Sequence, residues 1–266
     1  MQSFASYYGF YDGVEGREEQ LRLYRDLLAP AGNEVFELAC GTGIVALHLA
    51  RRGLRVVGLD VEPDALAMAR EKTRQELPDV QARLEWVEGD MAQFSLGRRF
   101  DAVLLGNNAF SYLTTLDAQR SCLRAVRQHL REGGRFLLEE RLLAPDTLVN
   151  MTRRLAAVTV YARGTNPATG LYTTFNCIGA RLDPVNQLEF WRRYIEELGP
   201  DGQVRRILPK EDLVKQRYFT PQEMRLLLEE AGLGIEAVYG DYQRRPLDSK
   251  SRSMIFTCRA GKGSQP

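Results

Sequence analysis

A chain of 266 residues with 44% hydrophobic content can bury a sizeable core, as one large domain or a domain with a subdomain. Net charge is +1 with 27% charged residues, so nothing global calls for nucleic acid or an anionic membrane surface. Four scattered cysteines without a C-x-x-C and two histidines make a poor inventory for zinc, and no apolar run approaches the roughly 18 residues of a membrane span. The expectation is a cytoplasmic protein with reduced thiols and no metal.

Beyond a tyrosine-rich start, FASYYGFYDGVEG, residues 17–28 place Leu21, Tyr24, Leu27 and Leu28 at helical spacing, and Pro30 and Gly32 end the run. A strand over 35–39, a helix over 44–52, a strand over 54–59 and a helix over 63–75 follow, with Gly53 as a helix stop. Strands are expected over 84–87 and 100–105, then a helix over 116–130 halted by Gly133-Gly134, then a strand over 135–139. Short apolar strands alternating with amphipathic helices indicate an α/β fold with a parallel sheet covered on both faces.

Past Pro145 the rhythm changes. LAAVTVYARG, GLYTTFNCIGARLDP and NQLEFWRRYIEELGPDG are rich in β-branched and aromatic residues and bounded by turn signals, which predicts antiparallel strands inserted into the parallel domain. TPQEMRLLLEEAGL then reads as a helix with Thr220 as N-cap, Pro221 at the first helical position, Glu223 closing a capping box and Gly232 as the stop. Strands over 235–238 and 253–258 complete the chain. The domain boundaries expected are 1–32 for an N-terminal helical lid, 33–154 with 220–266 for the core, and 155–219 for the β insertion.

The stretch VFELACGTGIVALHLARRGLRVVGLD carries the chemistry. Its glycines, Gly41 and Gly43 with Ala46, fit the G-x-G-x-x-G/A dinucleotide fingerprint, but that match alone is weak. Glu37 at the end of the first strand would repel a pyrophosphate. S-adenosylmethionine suits the turn better, because it offers an α-ammonium and a sulfonium to carboxylates and a carboxylate to the helix N-terminus.

At these residues the sequence resembles the class I S-adenosylmethionine-dependent methyltransferases, over about the whole chain. ELACGTG looks like their first motif, with Ala39 where many members have glycine. The resemblance implies a Rossmann-like, mostly parallel seven-stranded sheet closed by a C-terminal antiparallel hairpin. It places Glu37, Ala39, Gly41 and Gly43 at the cofactor, Asp60 on the ribose hydroxyls with Val61 beside it, Asp90 and Met91 of VEGDM at the adenine, and Asn107 of FDAVLLGNNAFSYL at the cofactor's edge. The layout looks most like small-molecule enzymes of the glycine N-methyltransferase type. By that analogy Arg17 meets the cofactor carboxylate, Tyr7 or Tyr11 lies over the sulfonium, and the start of the chain forms a lid.

The implied reaction is methyl transfer to an oxygen or nitrogen of a small metabolite, with S-adenosylhomocysteine as product. Tyr11 is grouped with the cofactor set, and Tyr7, Asn108, Arg141 and Tyr218 with the substrate. Glu140 and Tyr112 are the candidate catalytic residues, since no histidine is expected near the site. His48 and His129 fall within helices, Cys40 lacks a basic partner and reads as packing, and Asp101 precedes its strand and reads as structural. The insertion, with the aromatic and arginine residues of EFWRRYI, would select the substrate or build a homo-oligomer. Two other classes stay open: a cofactor-binding protein without catalysis, serving regulation or assembly, and a nicotinamide-dependent oxidoreductase.

Overall fold

The computed structural model describes residues 12–142, 158–166 and 169–261, so Tyr7 and Tyr11 lie outside the described residues. The chain divides into two compact units: Glu18–Ala144 with Phe219–Pro266, and Met1–Arg17 with Pro145–Tyr218.

The first unit begins with α1 (Glu18–Leu28) and continues through β1 (Glu34–Leu38), α2 (Ile44–Ala50), β2 (Arg55–Asp60), α3 (Pro63–Arg74), α4 (Pro78–Gln81), β3 (Leu84–Glu88) and β4 (Phe100–Leu105). A 3-10 turn, Ala109–Tyr112, precedes α5 (Leu116–His129) and β5 (Leu130–Arg141). After the other unit's four strands, β6 to β9, it closes with α6 (Pro221–Glu230), β10 (Leu233–Tyr239) and β11 (Ser253–Ala260). The sheet order is β10-β11-β5-β4-β1-β2-β3, parallel throughout except at β11, which runs antiparallel to both β10 and β5. The expected seven-stranded α/β sheet with its C-terminal hairpin is therefore present.

Strands buried on both faces read as unbroken apolar runs, and alternate residues serve opposite layers. Phe36, Leu38, Val103, Leu105, Phe136 and Leu138 pack with Leu123 and Val126 of α5 and Leu227 and Leu228 of α6. Val35, Ala102, Leu104 and Leu137 pack with Leu23, Tyr24 and Leu27 of α1 and Val45 and Leu49 of α2. Each fully buried side chain of this size contributes about 1.5–3 kcal/mol relative to exposure. Helix α1, grouped with the N-terminal lid on sequence, is thus part of the sheet unit's core.

Three local expectations are corrected. Gly133-Gly134 does not halt α5: Leu130 already has strand dihedrals (φ −88, ψ 137) and opens β5. The glycines instead lie where the β4–β5 pairing jumps from Phe100↔Leu130 to Ala102↔Arg135. The short α4 was not expected; Leu77 is extended (ψ 148) ahead of Pro78, which starts the helix at its first position.

The second unit carries the four-stranded antiparallel sheet β6 (Val158–Thr165), β7 (Tyr172–Asp183), β8 (Leu188–Leu198) and β9 (Val204–Arg217), in that order. Phe175, Cys177, Ile195 and Leu208 form its core with Val14, Ala162 and Trp191. Strand β9 is the third correction, because Pro209 and scattered charges hide it in the sequence. Its place at the sheet edge tolerates a residue without an N–H. Among the described residues no helix is long and apolar enough to cross a membrane.

Candidate cofactor site

The carboxyl ends of β1 to β5 share one edge of the sheet, and the chain leaves β1 there through a tight turn. Ala39, Gly41 and Gly43 all adopt left-handed backbone, at φ 52, 53 and 78. For Ala39 that conformation costs about 1–2 kcal/mol, which explains why glycine suits the position. A Cβ on Gly43 would collide with the Trp86 ring, itself held by Trp86 Nε1 donating to Thr73 Oγ1 at 3.0 Å. A Cβ on Gly41 would meet nothing within 4 Å, so the backbone here borders open space.

The turn is tied to β2. Cys40 N donates to Leu59 O at 3.0 Å, and Gly41 N donates to Asp60 Oδ2 at 2.6 Å. Asp60 Oδ1 accepts from Glu62 N at 3.0 Å, and the side chain is 8% exposed. Burial raises its carboxyl above the usual range, while the amides of Glu62, Gly41 and Val61 pull it back.

Glu37, on β1 between Gly58 and Leu104, is 3% exposed, and its Oε2 is buried with no hydrogen-bond partner. Burial pushes its carboxyl up to about 8; the Ala46 amide opposes this and the Asp60 carboxylate adds to it. An acid so placed is neutral near pH 7 until a cation arrives to ionise it.

Further along the edge, Asp90 follows β3, exposed, with Oδ1 accepting from Ala92 N at 2.8 Å. Met91 is half-buried against the core, and Val61 is exposed. Asn107 and Asn108 follow β4, both left-handed at φ 55 and 59. At the end of β5, Glu140 is 2% exposed, with Oε2 accepting from Ser111 N at 3.0 Å and Oε1 from Arg141 N at 3.1 Å. Burial pushes this carboxyl up to about 8 as well, against the Arg141 amide and charge and the Ser111 amide. Tyr112 stands exposed on the turn that Glu140 anchors, and Arg141 is half-buried.

These residues meet along one edge: Glu37, Ala39, Gly41, Gly43, Asp60, Val61, Asp90, Met91, Asn107, Asn108, Tyr112, Glu140 and Arg141. Arg17 and Tyr218 belong to the other unit, where Tyr218 N donates to Gln187 O at 3.0 Å. The sequence analysis missed a buried group beside Asn107: Gln20, Tyr24, Glu139 and Tyr242. Its legible trace was a polar residue, Gln20, one turn before Tyr24 on the apolar stripe of α1.

Residues set aside on sequence behave accordingly. His129 Nδ1–H donates to Ala125 O at 2.7 Å and its Nε2 accepts from Leu96 N at 3.0 Å, a structural tie. His48 of α2 contacts Arg52 just beyond the helix, and burial with the neighbouring arginines lowers it to about 4. Burial, then Glu37 and Asp60, push the Cys40 thiol well up, so it is no nucleophile. Asp101 accepts from Glu34 N at 3.0 Å and pairs with Arg131. Among the described residues no cluster of three His, Cys, Asp or Glu could hold a metal.

The family model described as a methyltransferase domain matches residues 35–134, from β1 through the glycine turn, Asp60 and Asp90 to the start of β5. The chain is an S-adenosylmethionine-dependent methyltransferase. S-adenosylmethionine is its cofactor, and the orphaned oxygen of Glu37 and the open face of Gly41 fit it. The methyltransferase is 27% identical over 233 residues to a cypemycin N-terminal methyltransferase of a Streptomyces species, covering 84% of this chain and 82% of that protein. It is 28% identical over 219 residues to the dTDP-3-amino-3,6-dideoxy-alpha-D-glucopyranose N,N-dimethyltransferase of Streptomyces fradiae, covering 82% and 77%. The solved CcbJ methyltransferase of Streptomyces caelestis superposes with a TM-score of 0.70 at 28% identity, over 92% of this chain and 89% of that one.

Proposed function

We propose that the methyltransferase transfers a methyl group to the nitrogen of an amine on a small-molecule metabolite. The observation that carries the cofactor half is the buried, unpartnered oxygen of Glu37 beside an open glycine turn. The acceptor half rests on two relatives that align over most of their length, one named an N-terminal methyltransferase and the other an amino-sugar N,N-dimethyltransferase.

When bound, S-adenosylmethionine supplies an electrophilic methyl group on a sulfonium. In our assignment Glu37 would face the α-ammonium, Asp60 the ribose hydroxyls, Asp90 and Met91 the adenine, and the turn from Ala39 to Gly43 the carboxylate end. Asn108 and Arg141, at the same sheet edge, are our candidates for orienting the acceptor. The protein's contribution is alignment of nucleophile, carbon and sulfur, with water excluded. An amine that arrives unprotonated needs no dedicated base. Glu140, with both oxygens on backbone amides, then acts as the anchor of the Ala109–Tyr112 turn, and Tyr112 is the exposed group at its mouth.

The β6–β9 sheet is our candidate for acceptor selection or self-association, which sizing chromatography of the intact protein separates. A cytoplasmic location accords with four free, buried cysteines. The deciding experiment offers S-adenosylmethionine with amino-sugar nucleotides, peptides with free N-termini, and hydroxyl analogues of each. Methylation of an amine and not its hydroxyl counterpart is expected; transfer to the hydroxyl series alone overturns the nitrogen assignment.

A further inference from the structure

We propose that Gln20 and Tyr24, one helical turn apart on α1, are positioning residues for the methyl-transfer site that act by gripping Asn107. Gln20 Nε2 donates to Asn107 Oδ1 at 3.1 Å, and the Asn107 backbone N–H donates to the Tyr24 hydroxyl. Both gripping side chains are fixed on the far side by one carboxylate. Tyr24 Oη donates to Glu139 Oε2, Gln20 Nε2 donates to the same oxygen at 2.9 Å, and Tyr242 Oη donates to Glu139 Oε1 at 2.6 Å. Gln20, Tyr24 and Glu139 are all nearly inaccessible to solvent, whereas Asn107 is exposed at the sheet edge.

Packing alone does not call for this arrangement. Leu23, Leu27 and Leu28 fill the rest of the same helix stripe, and apolar residues at 20 and 24 would bury area without the cost of desolvating the Gln20 amide and the Tyr24 hydroxyl. A fully satisfied polar network specifies one geometry, which a site needs and a core does not. The geometry it holds is otherwise unfavourable: Asn107 is left-handed at φ 55. The fit is close, since a Cβ on the preceding Gly106 would collide with the Tyr24 hydroxyl. The grip leaves the outer side of Asn107 for a ligand and sets the course of the chain toward Asn108 and Tyr112.

The inference rests on the methyl-transfer reading, so its test has one arm that needs no ligand. Gln20→Met, Tyr24→Phe, Asn107→Ala and the double variant Gln20→Met/Asn107→Ala are compared with wild type. In the first arm, hydrogen exchange over residues 106–113 is followed on the protein alone; Gln20→Met and Tyr24→Phe are each expected to speed it about tenfold while α5 keeps its protection. In the second, S-adenosylhomocysteine is titrated calorimetrically. Each single variant is expected to bind about tenfold more weakly, and the double variant no more weakly than Asn107→Ala, because the grip acts through Asn107.

Unchanged exchange at 106–113, or affinity losses that multiply in the double variant, would overturn the proposal. Wild-type protein that fails to bind S-adenosylhomocysteine overturns the methyl-transfer reading instead, and the exchange arm then judges the grip by itself. Tyr24→Phe, which keeps its ring, carries both arms should Gln20→Met not fold.

Discussion

Asp60 Oδ2 accepts the Gly41 amide at 2.6 Å, so the carboxylate we assign to the ribose also holds the glycine turn in shape. Cofactor affinity and the stability of the free protein are therefore linked through one side chain. Asp60→Ala leaves the Gly41 and Glu62 amides without their acceptor and is expected to cost about 1–3 kcal/mol of stability as well as affinity. Asp60→Asn retains an acceptor oxygen, so it should recover more of the melting temperature than of the affinity. Calorimetric titration and thermal melts of the same samples separate the two effects.

Glu37 makes stability and binding depend on pH in opposite directions. Its carboxyl lies at about 8 in the folded chain against 4.5 for an ordinary glutamate. Between those values the folded chain holds a proton that the unfolded chain has lost, so stability falls as pH rises through the window. Binding an ammonium group ionises Glu37 and releases that proton, so affinity for S-adenosylhomocysteine should rise with pH, by up to about tenfold per unit below 8. Glu37→Gln should flatten the affinity profile between pH 5.5 and 7.5 and bind weakly throughout. A wild-type profile equally flat would remove Glu37 from the ammonium.

Ala39 carries left-handed backbone at φ 52 without the freedom of glycine. Ala39→Gly relieves about 1–2 kcal/mol of strain and gives back about 0.4–1 kcal/mol through the more flexible unfolded chain. A small rise in melting temperature is expected. Ala39→Val, branched at Cβ, should lose about 1–3 kcal/mol. Paired denaturant titrations measure both.

Glu140 distinguishes an anchor from a base. Glu140→Gln keeps an oxygen for the Ser111 amide, and its turnover should stay within about threefold of wild type near pH 7. Glu140→Ala loosens the Ala109–Tyr112 turn and should cost about 1–3 kcal/mol of stability together with activity. A fall of about a hundredfold or more in Glu140→Gln with unchanged stability would restore the base role. Initial rates across pH, beside thermal melts, provide the comparison.

What the amino-acid order determined by itself is local or periodic. Alternating apolar strands and amphipathic helices specify a doubly covered sheet, and the run from Glu37 to Asp60 specifies a glycine turn flanked by acids at two strand ends. Such signals survive in sequence because each needs only neighbours a few residues apart. The tertiary structure decided the rest. Glu139 and Glu140 are adjacent acids whose roles diverge because successive side chains of a strand point to opposite faces, one toward Tyr24 and Tyr242, the other toward Ser111. Gln20 reaches Asn107 across 87 positions and Glu139 across 119, and only the strand order that sets β4 and β5 side by side beneath α1 brings them together. Edge strand β9 escaped notice for the same reason: what permits a proline in a strand is its place at the rim of a sheet, and that place exists only once the other strands have paired.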